Sequence, residues 1–123
     1  MSNGRRSVLV VDDDWDIRET LAEFLRDGGQ EVATARDGFD ALGKLESVSR
    51  PCVILLDLMM PRMAGLEFLQ HLSEHRHAGD FMVLVMSAND TLRNEAVAFP
   101  NVRGTLRKPF DLDGLLSVFE RGA

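Results

Sequence analysis

The sequence predicts an α/β fold: a (βα)5, doubly wound parallel five-stranded sheet with helices on both faces. Three observations carry that expectation. Apolar runs rich in β-branched residues recur along the chain, each about as long as a strand buried on both faces. Between them lie segments whose apolar residues return at helical spacing. The connections are short, and strict β-α alternation with short connections implies parallel strands and right-handed crossovers.

Val8-Leu9-Val10-Val11 is the first strand and runs into Asp12, Asp13 and Asp14. Ile17, Leu21, Phe24 and Leu25 mark the first helix, with Asp14 or Asp16 expected as its cap and Gly28-Gly29 as its stop. Residues 31–35 form a weaker second strand, in which Val32 is the only strong β former. Asp37 can cap a second helix carrying Ala41, Leu42 and residues 45–48, ended by Ser49-Arg50-Pro51. The third strand, Cys52-Val53-Ile54-Leu55-Leu56, delivers Asp57, and a loop containing Pro61 follows to about residue 64. Leu66, Phe68, Leu69 and Leu72 mark the third helix. Met82-Val83-Leu84-Val85-Met86 is the fourth strand and runs into Ser87, with a short helix over residues 90–99 stopped by Pro100. The fifth strand, 102–106, leads to Lys108-Pro109, and Asp111 caps a last helix through Leu112, Leu115, Leu116 and Phe119.

With 123 residues the chain reads as one domain, 1–123, with a core over about residues 7–121. Its 45% hydrophobic and 28% charged residues are ordinary for a soluble globular chain. A net charge of −6 argues against a nucleic-acid surface, which needs concentrated Lys and Arg, but not against a metal cation. The single cysteine, Cys52, excludes an internal disulfide and sits among apolar neighbours as a small buried hydrophobe. Residues 1–7 carry two arginines with no apolar stretch of signal-peptide length behind them. Nothing approaches the roughly 18 apolar residues of a membrane span, so a cytoplasmic location without membrane contact is expected.

The strand ends carry the chemistry, because ligands of open α/β sheets gather where the strands finish. Asp12 to Asp14 beside Asp57 crowd negative charge: like charges about 4 Å apart repel by roughly 4 kcal/mol at an effective dielectric near 20. Either a carboxylate takes up a proton or a divalent cation neutralises the cluster. An all-oxygen, sulfur-free pocket suits Mg²⁺. Ser87 adds a hydroxyl and Lys108, one of only two lysines against twelve arginines, adds a point charge for a carboxylate or phosphate oxygen. Metal, ammonium and hydroxyl together stabilise a phosphoryl group in transfer, and a carboxylate nucleophile would give an aspartyl phosphate.

VLVVDDD, VILLDLMMPRMAG, MVLVMSAND and LRKPFD, in that order over nearly the whole chain, resemble the receiver domain of two-component response regulators, of the chemotaxis-regulator type. The resemblance implies a flavodoxin-like sheet in the order 2-1-3-4-5. It implies Asp57 as phosphoacceptor, charged by a histidine kinase, a histidine phosphotransfer protein or a small phosphodonor. Asp13 matches a direct Mg²⁺ ligand, Asp12 its partner acting largely through water, and the Met59 carbonyl a third protein ligand. Ser87 and Lys108 match the residues that grip phosphoryl oxygens, and Lys108-Pro109 a peptide bond that is usually cis. The implied role is regulatory: the domain catalyses only its own phosphorylation and dephosphorylation. It acts on a downstream effector protein as a monomer or weak dimer.

Each site residue also has a plainer reading, as a helix cap, a loop residue or a solvated lysine, and their joint occurrence favours the functional one. The pattern departs from the family at Thr105, where an aromatic residue is usual, so the output surface is expected to be atypical. Met59 and Asn89, two positions past Asp57 and Ser87, match positions that tune the lifetime of the phosphoryl group. The alternatives are a receiver-like interaction module that is never phosphorylated and an aspartate-nucleophile phosphatase. The phosphatase class wants a second Asp where Met59 stands. A flavin carrier fits the fold but lacks a phosphate-cradling loop after the first strand. His71 and His75, one helical turn apart, and His77 are read as a polar helix end rather than a metal site, and Trp15 either packs over the site mouth or covers surface.

Overall fold

A computed structural model describes residues 6–122 of the protein; the N-terminal residues considered above for a leader lie, up to residue 5, outside them. The elements run β1 (Ser7–Val11), α1 (Trp15–Asp27), β2 (Glu31–Ala35), α2 (Gly38–Lys44), β3 (Cys52–Asp57), α3 (Gly65–Ser73), β4 (Phe81–Ser87), α4 (Asp90–Ala96), β5 (Val102–Arg107) and α5 (Leu112–Gly122). A single 3-10 turn, Ala78–Asp80, precedes β4 and is not signalled by the periodicity. All neighbouring strands are parallel, in the order β2-β1-β3-β4-β5.

Alternation along each buried strand divides the core in two. Leu9, Ile54, Leu56, Val83 and Val85 join Phe68, Leu69 and Leu72 of α3 on one face. Val8, Val10, Val53, Leu55, Leu84 and Met86 meet Leu21 and Leu25 of α1 and Leu115 and Phe119 of α5 on the other. Burying each large aliphatic side chain contributes about 1.5–3 kcal/mol, so the central strands β1, β3 and β4, apolar on both faces, dominate the energetics. They are also the strands that end at the acids and Ser87.

Local chemistry sets the helix ends. Asp14 caps α1, its carboxylate accepting from the N–H groups of Asp16 (2.9 Å) and Ile17 (3.2 Å). Gly28 turns its N–H back to Phe24 and Leu25, and Gly29 takes φ 93°, which glycine adopts at little cost. Asp37 caps α2 through the N–H of Asp40 at 2.9 Å, and Asp111 caps α5 through that of Gly114 at 2.8 Å. Helix α2 ends at Lys44 rather than continuing through residue 48. Leu45 bonds back to Leu42 in a tighter turn, and the Arg50 guanidinium takes the Leu45 carbonyl at 3.3 Å. Helix α4 likewise stops at Ala96, three residues early, as Ala98 and Phe99 bond to Glu95 and Ala96.

Helix α3 begins without a side-chain cap: Ala64 holds the N-cap position with φ −71° and ψ 164° and offers no acceptor. Ala64→Ser supplies one in a backbone conformation already suited to capping. The expected gain is about 1 kcal/mol, read as a higher urea midpoint at unchanged slope. An unchanged midpoint would show that water already satisfies those N–H groups.

The edges of the sheet carry their own features. On β5 the register slips by one residue, with Val83 opposite Val102 but Leu84 opposite Gly104, and Arg103 and Arg107 are exposed. A Cβ at Gly104 would lie 3.0 Å from Val118 and 3.2 Å from Leu84, so α5 and β4 close over that position. At the other edge, the Lys44 ammonium donates to the Thr34 carbonyl of β2.

Candidate functional site

The C-terminal ends of β1, β3, β4 and β5 bring Asp12, Asp57, Ser87 and Lys108 to one edge of the sheet, as the sequence implies. Asp12 is fully buried, Asp57 and Ser87 are nearly so, and Asp13 is exposed. Carboxylate oxygens of Asp12, Asp13 and Asp57 all lie within 4.8 Å of one another. The Lys108 ammonium reaches across the sheet to Asp12 Oδ2 at 2.9 Å and stands 3.5 Å from Asp57 Oδ1. The Lys108-Pro109 peptide is cis, and so is Arg50-Pro51.

One ammonium against three carboxylates leaves the cluster acidic, and the electrostatics of Asp57 register it. Burial, and then the charge of Asp12, raise its pKa to about 7, against the opposing pull of Lys108 and the Met59 N–H. Burial pushes the Lys108 ammonium down, but its hydrogen bond to Asp12 and the charges of Asp57 and Asp12 raise it overall, so it stays cationic. A crowded all-oxygen cluster with unneutralised charge fits a hard divalent cation.

Backbone geometry holds these groups in place. Asp12 Oδ1 accepts the Asp14 N–H (2.9 Å), Asp57 Oδ1 the Met59 N–H (3.2 Å) and Ser87 Oγ the Asn89 N–H (3.0 Å). Ser87 thus orients the β4–α4 turn while Asn89, through Leu92, caps α4. A Cβ at Gly65 would fall 2.7 Å from Leu58 Cα and 2.9 Å from the Asp57 carbonyl, so α3 can start against the end of β3 only with glycine there. Arg62, at φ 68°, pairs with buried Asp37 and ties the β3–α3 loop to the start of α2. That hydrogen bond holds the Asp37 carboxyl below its ordinary range.

The remaining sequence candidates stand apart from the cluster, except that Met59 and Asn89 meet it through their backbone N–H groups. Trp15 opens α1 and is 64% exposed, which makes it a surface residue beside the acid pair. The histidines are regrouped: α3 ends at Ser73, so His71 and His75 do not share a helix, and His75 instead meets Glu46 at 3.1 Å with His77 at 3.9 Å. Thr105 is half-buried on β5, opposite Val85. Met59 and Asn89 are both exposed at the rim, Met59 lining a depression of about 490 Å³ with Asp13 and Leu92. Sequence reasoning missed Arg18 and Arg93, whose guanidinium groups take the backbone carbonyls of Asp12 and Ser87.

A family model described as the response regulator receiver domain matches residues 8–120. The response regulator MprA of Mycobacterium avium (strain 104) is 39% identical over 112 residues, which are 89% of this chain and 47% of the relative. MprA of Mycobacterium tuberculosis (strain ATCC 25177 / H37Ra) is also 39% identical, with the same coverage. The chain therefore spans about half the length of the curated relatives it matches. Among solved structures, the Vibrio cholerae chemotaxis protein CheY4 superposes with a TM-score of 0.87 at 32% identity, over 97% of this chain and 99% of that one. The response regulator TrrA of Thermotoga maritima, solved in complex with Mg²⁺-BeF, gives 0.82 at 29% identity, over 96% and 99%. The chain belongs to the response regulator receiver domain family. It is a regulatory module of two-component signalling, with the flavodoxin-like strand order of its relatives. No helix among the described residues is long and apolar enough to cross a membrane.

Proposed function

We propose that this domain takes a phosphoryl group on Asp57 in an Mg²⁺-dependent reaction and passes the change to a protein partner. The observation that carries the reading is the Lys108 ammonium, 2.9 Å from Asp12 and 3.5 Å from Asp57, with the Ser87 hydroxyl buried at the end of the adjoining strand β4. Asp12, Asp13, Asp57 and the Met59 carbonyl are the groups that would hold Mg²⁺, which when bound neutralises charge on the carboxylates and on the incoming phosphoryl oxygens.

A carboxylate oxygen of Asp57 attacks phosphorus. The bond from phosphorus to the donor breaks, and the donor leaves with the electron pair. Lys108 moves its ammonium from the carboxylates onto a phosphoryl oxygen, and Ser87 donates its hydroxyl to another. The donor is a histidine kinase, a histidine phosphotransfer protein or a small phosphodonor. A groove of about 830 Å³ between α1 and the β5–α5 connection opens beside Lys108, and its acidic rim of Asp16, Asp111 and Asp113 suits a basic donor surface. Asn89, exposed at the rim, can orient water toward the acyl phosphate, whereas Met59 shields it. The product switches contacts with a downstream effector, and Thr105 makes the readout differ from that of receivers with an aromatic residue there.

The test incubates the protein with Mg²⁺ and acetyl phosphate and follows intact mass, with beryllofluoride as a non-covalent mimic. Wild type should gain one phosphoryl group only when Mg²⁺ is present, and Asp57→Asn should gain none. Absence of any Asp57-dependent change would favour an interaction module that is never phosphorylated.

Mg²⁺ binding should also depend on pH. Because the Asp57 pKa is raised to about 7, the metal must displace a proton below that pH. Apparent affinity should be level above pH 7 and fall by up to about tenfold per pH unit below it, as calorimetry would read. A flat profile between pH 5.5 and 8, a range chosen as roughly bracketing that pKa, would mean that Asp57 does not contribute to the site.

A further inference from the structure

We propose that Arg18 and Arg93 are a matched pair of positioning residues, Arg18 for the metal-holding half of the site and Arg93 for the phosphoryl-holding half. The inference rests on the proposed phosphoacceptor function. Each arginine stands six residues past a strand-end site residue, on the helix that follows it. Arg18 Nη1 donates to the Asp12 carbonyl at 2.9 Å, and Arg93 Nη1 donates to the Ser87 carbonyl at 2.8 Å. The two side chains are only 14% and 15% exposed. Each guanidinium is also engaged by a carboxylate of its own helix: Glu19 lies 3.7 Å from Arg18 Nε, and Asp90 accepts from Arg93 Nη2.

The arrangement exploits what a guanidinium has and an ammonium lacks. Its planar fork can hold a carbonyl with one N–H and a carboxylate with another, in fixed relative orientation. The Asp12 carbonyl sets the backbone from which the buried Asp12 and exposed Asp13 side chains project. The Ser87 carbonyl, which also accepts the Lys108 N–H at 3.1 Å, sets the backbone that aims the Ser87 hydroxyl and joins it to the strand end carrying Lys108. Neither arginine touches the reacting atoms. Each fixes one turn on opposite sides of Asp57, so the two affect different ligands.

That separation is the test. Wild type, Arg18→Met and Arg93→Met are titrated calorimetrically with Mg²⁺, then with beryllofluoride at saturating Mg²⁺; methionine keeps the packed stem and removes the donors. Removing an outer-shell partner costs about 10–100-fold in affinity, so Arg18→Met should weaken Mg²⁺ about tenfold and leave beryllofluoride within about twofold. Arg93→Met should do the reverse, by similar factors of about ten and about two. Arg18→Lys and Arg93→Lys, which keep one donor, should show the same split at smaller amplitude and serve where a methionine variant does not fold. Equal changes in both affinities, or no change in either, would overturn the proposal, because general loosening or a surface role predicts those results. Wild type that binds Mg²⁺ yet binds beryllofluoride no better than Asp57→Asn, titrated alongside as a control, would instead sink the phosphoacceptor reading itself.

Discussion

Asp57→Asn is expected to abolish phosphoryl uptake and, in the same step, to stabilise the metal-free fold. The first effect follows from losing the proposed nucleophile, since an amide oxygen forms no stable acyl phosphate. The second follows from linkage. In the folded protein the Asp57 pKa is raised from 3.8 to about 7 by burial and by Asp12. As pH rises from about 4 to about 7 the unfolded chain releases this proton first, so folding stability falls through that window and levels off above it. Asparagine carries no such penalty. Each tenfold difference in proton affinity between the folded and unfolded chain is worth about 1.36 kcal/mol. The variant should therefore match wild type near pH 4 and exceed it by on the order of 2–4 kcal/mol at about pH 8 without Mg²⁺. Denaturant titrations at the two pH values read the difference, and Mg²⁺ should narrow it by stabilising wild type more than the variant, which keeps Asp12 and Asp13 but lacks the Asp57 charge. A variant less stable than wild type at the higher pH would mean that the Asp57 charge is already compensated without metal.

Lys108→Met should have the opposite sign. The substitution removes the cation 2.9 Å from fully buried Asp12 and leaves that carboxylate unpaired in the interior. Breaking a buried pair from one side costs about 3–5 kcal/mol, and partial exposure of Lys108 puts the expected loss near the lower figure. The loss should shrink as pH falls, because Asp57, whose pKa burial and Asp12 already raise to about 7, loses the opposing pull of Lys108 and takes up a proton more readily. Mg²⁺ should recover part of it, by about 2.7 kcal/mol at a concentration 100 times the dissociation constant. Phosphoryl uptake should remain impaired even then, because methionine cannot reach a phosphoryl oxygen with a charge. Unaltered stability would make Lys108 an ordinary solvated lysine.

The sequence made the strand ends legible because strands buried on both faces must be continuously apolar, and a carboxylate or hydroxyl that ends such a run is conspicuous. Asp57 after Leu56 and Ser87 after Met86 stand out in this way, and the structure brings Asp12 and Lys108 beside Asp57 as that logic requires. What escaped depends on reach rather than pattern. Arg18 and Arg93 act on carbonyls six residues back, across the turn from a helix to the end of a strand, where no single periodicity applies. Glu46 meets His75 and His77 across two loops, contacts that no local rule pairs. Helices α2 and α4 end earlier than the apolar spacing suggests because i→i+3 bonds tighten their last turns, and at α2 the Arg50 guanidinium takes the freed Leu45 carbonyl.

The edges of the sheet bear on how the molecule behaves in a crowd. An open parallel sheet offers two rows of unpaired backbone groups, which invite neighbouring chains to add as further strands. Here the pairing of β5 slips in register and the strand exposes Arg103 and Arg107, and on β2 the Lys44 ammonium occupies the Thr34 carbonyl. Both borders are therefore poor templates for fibril-like stacking.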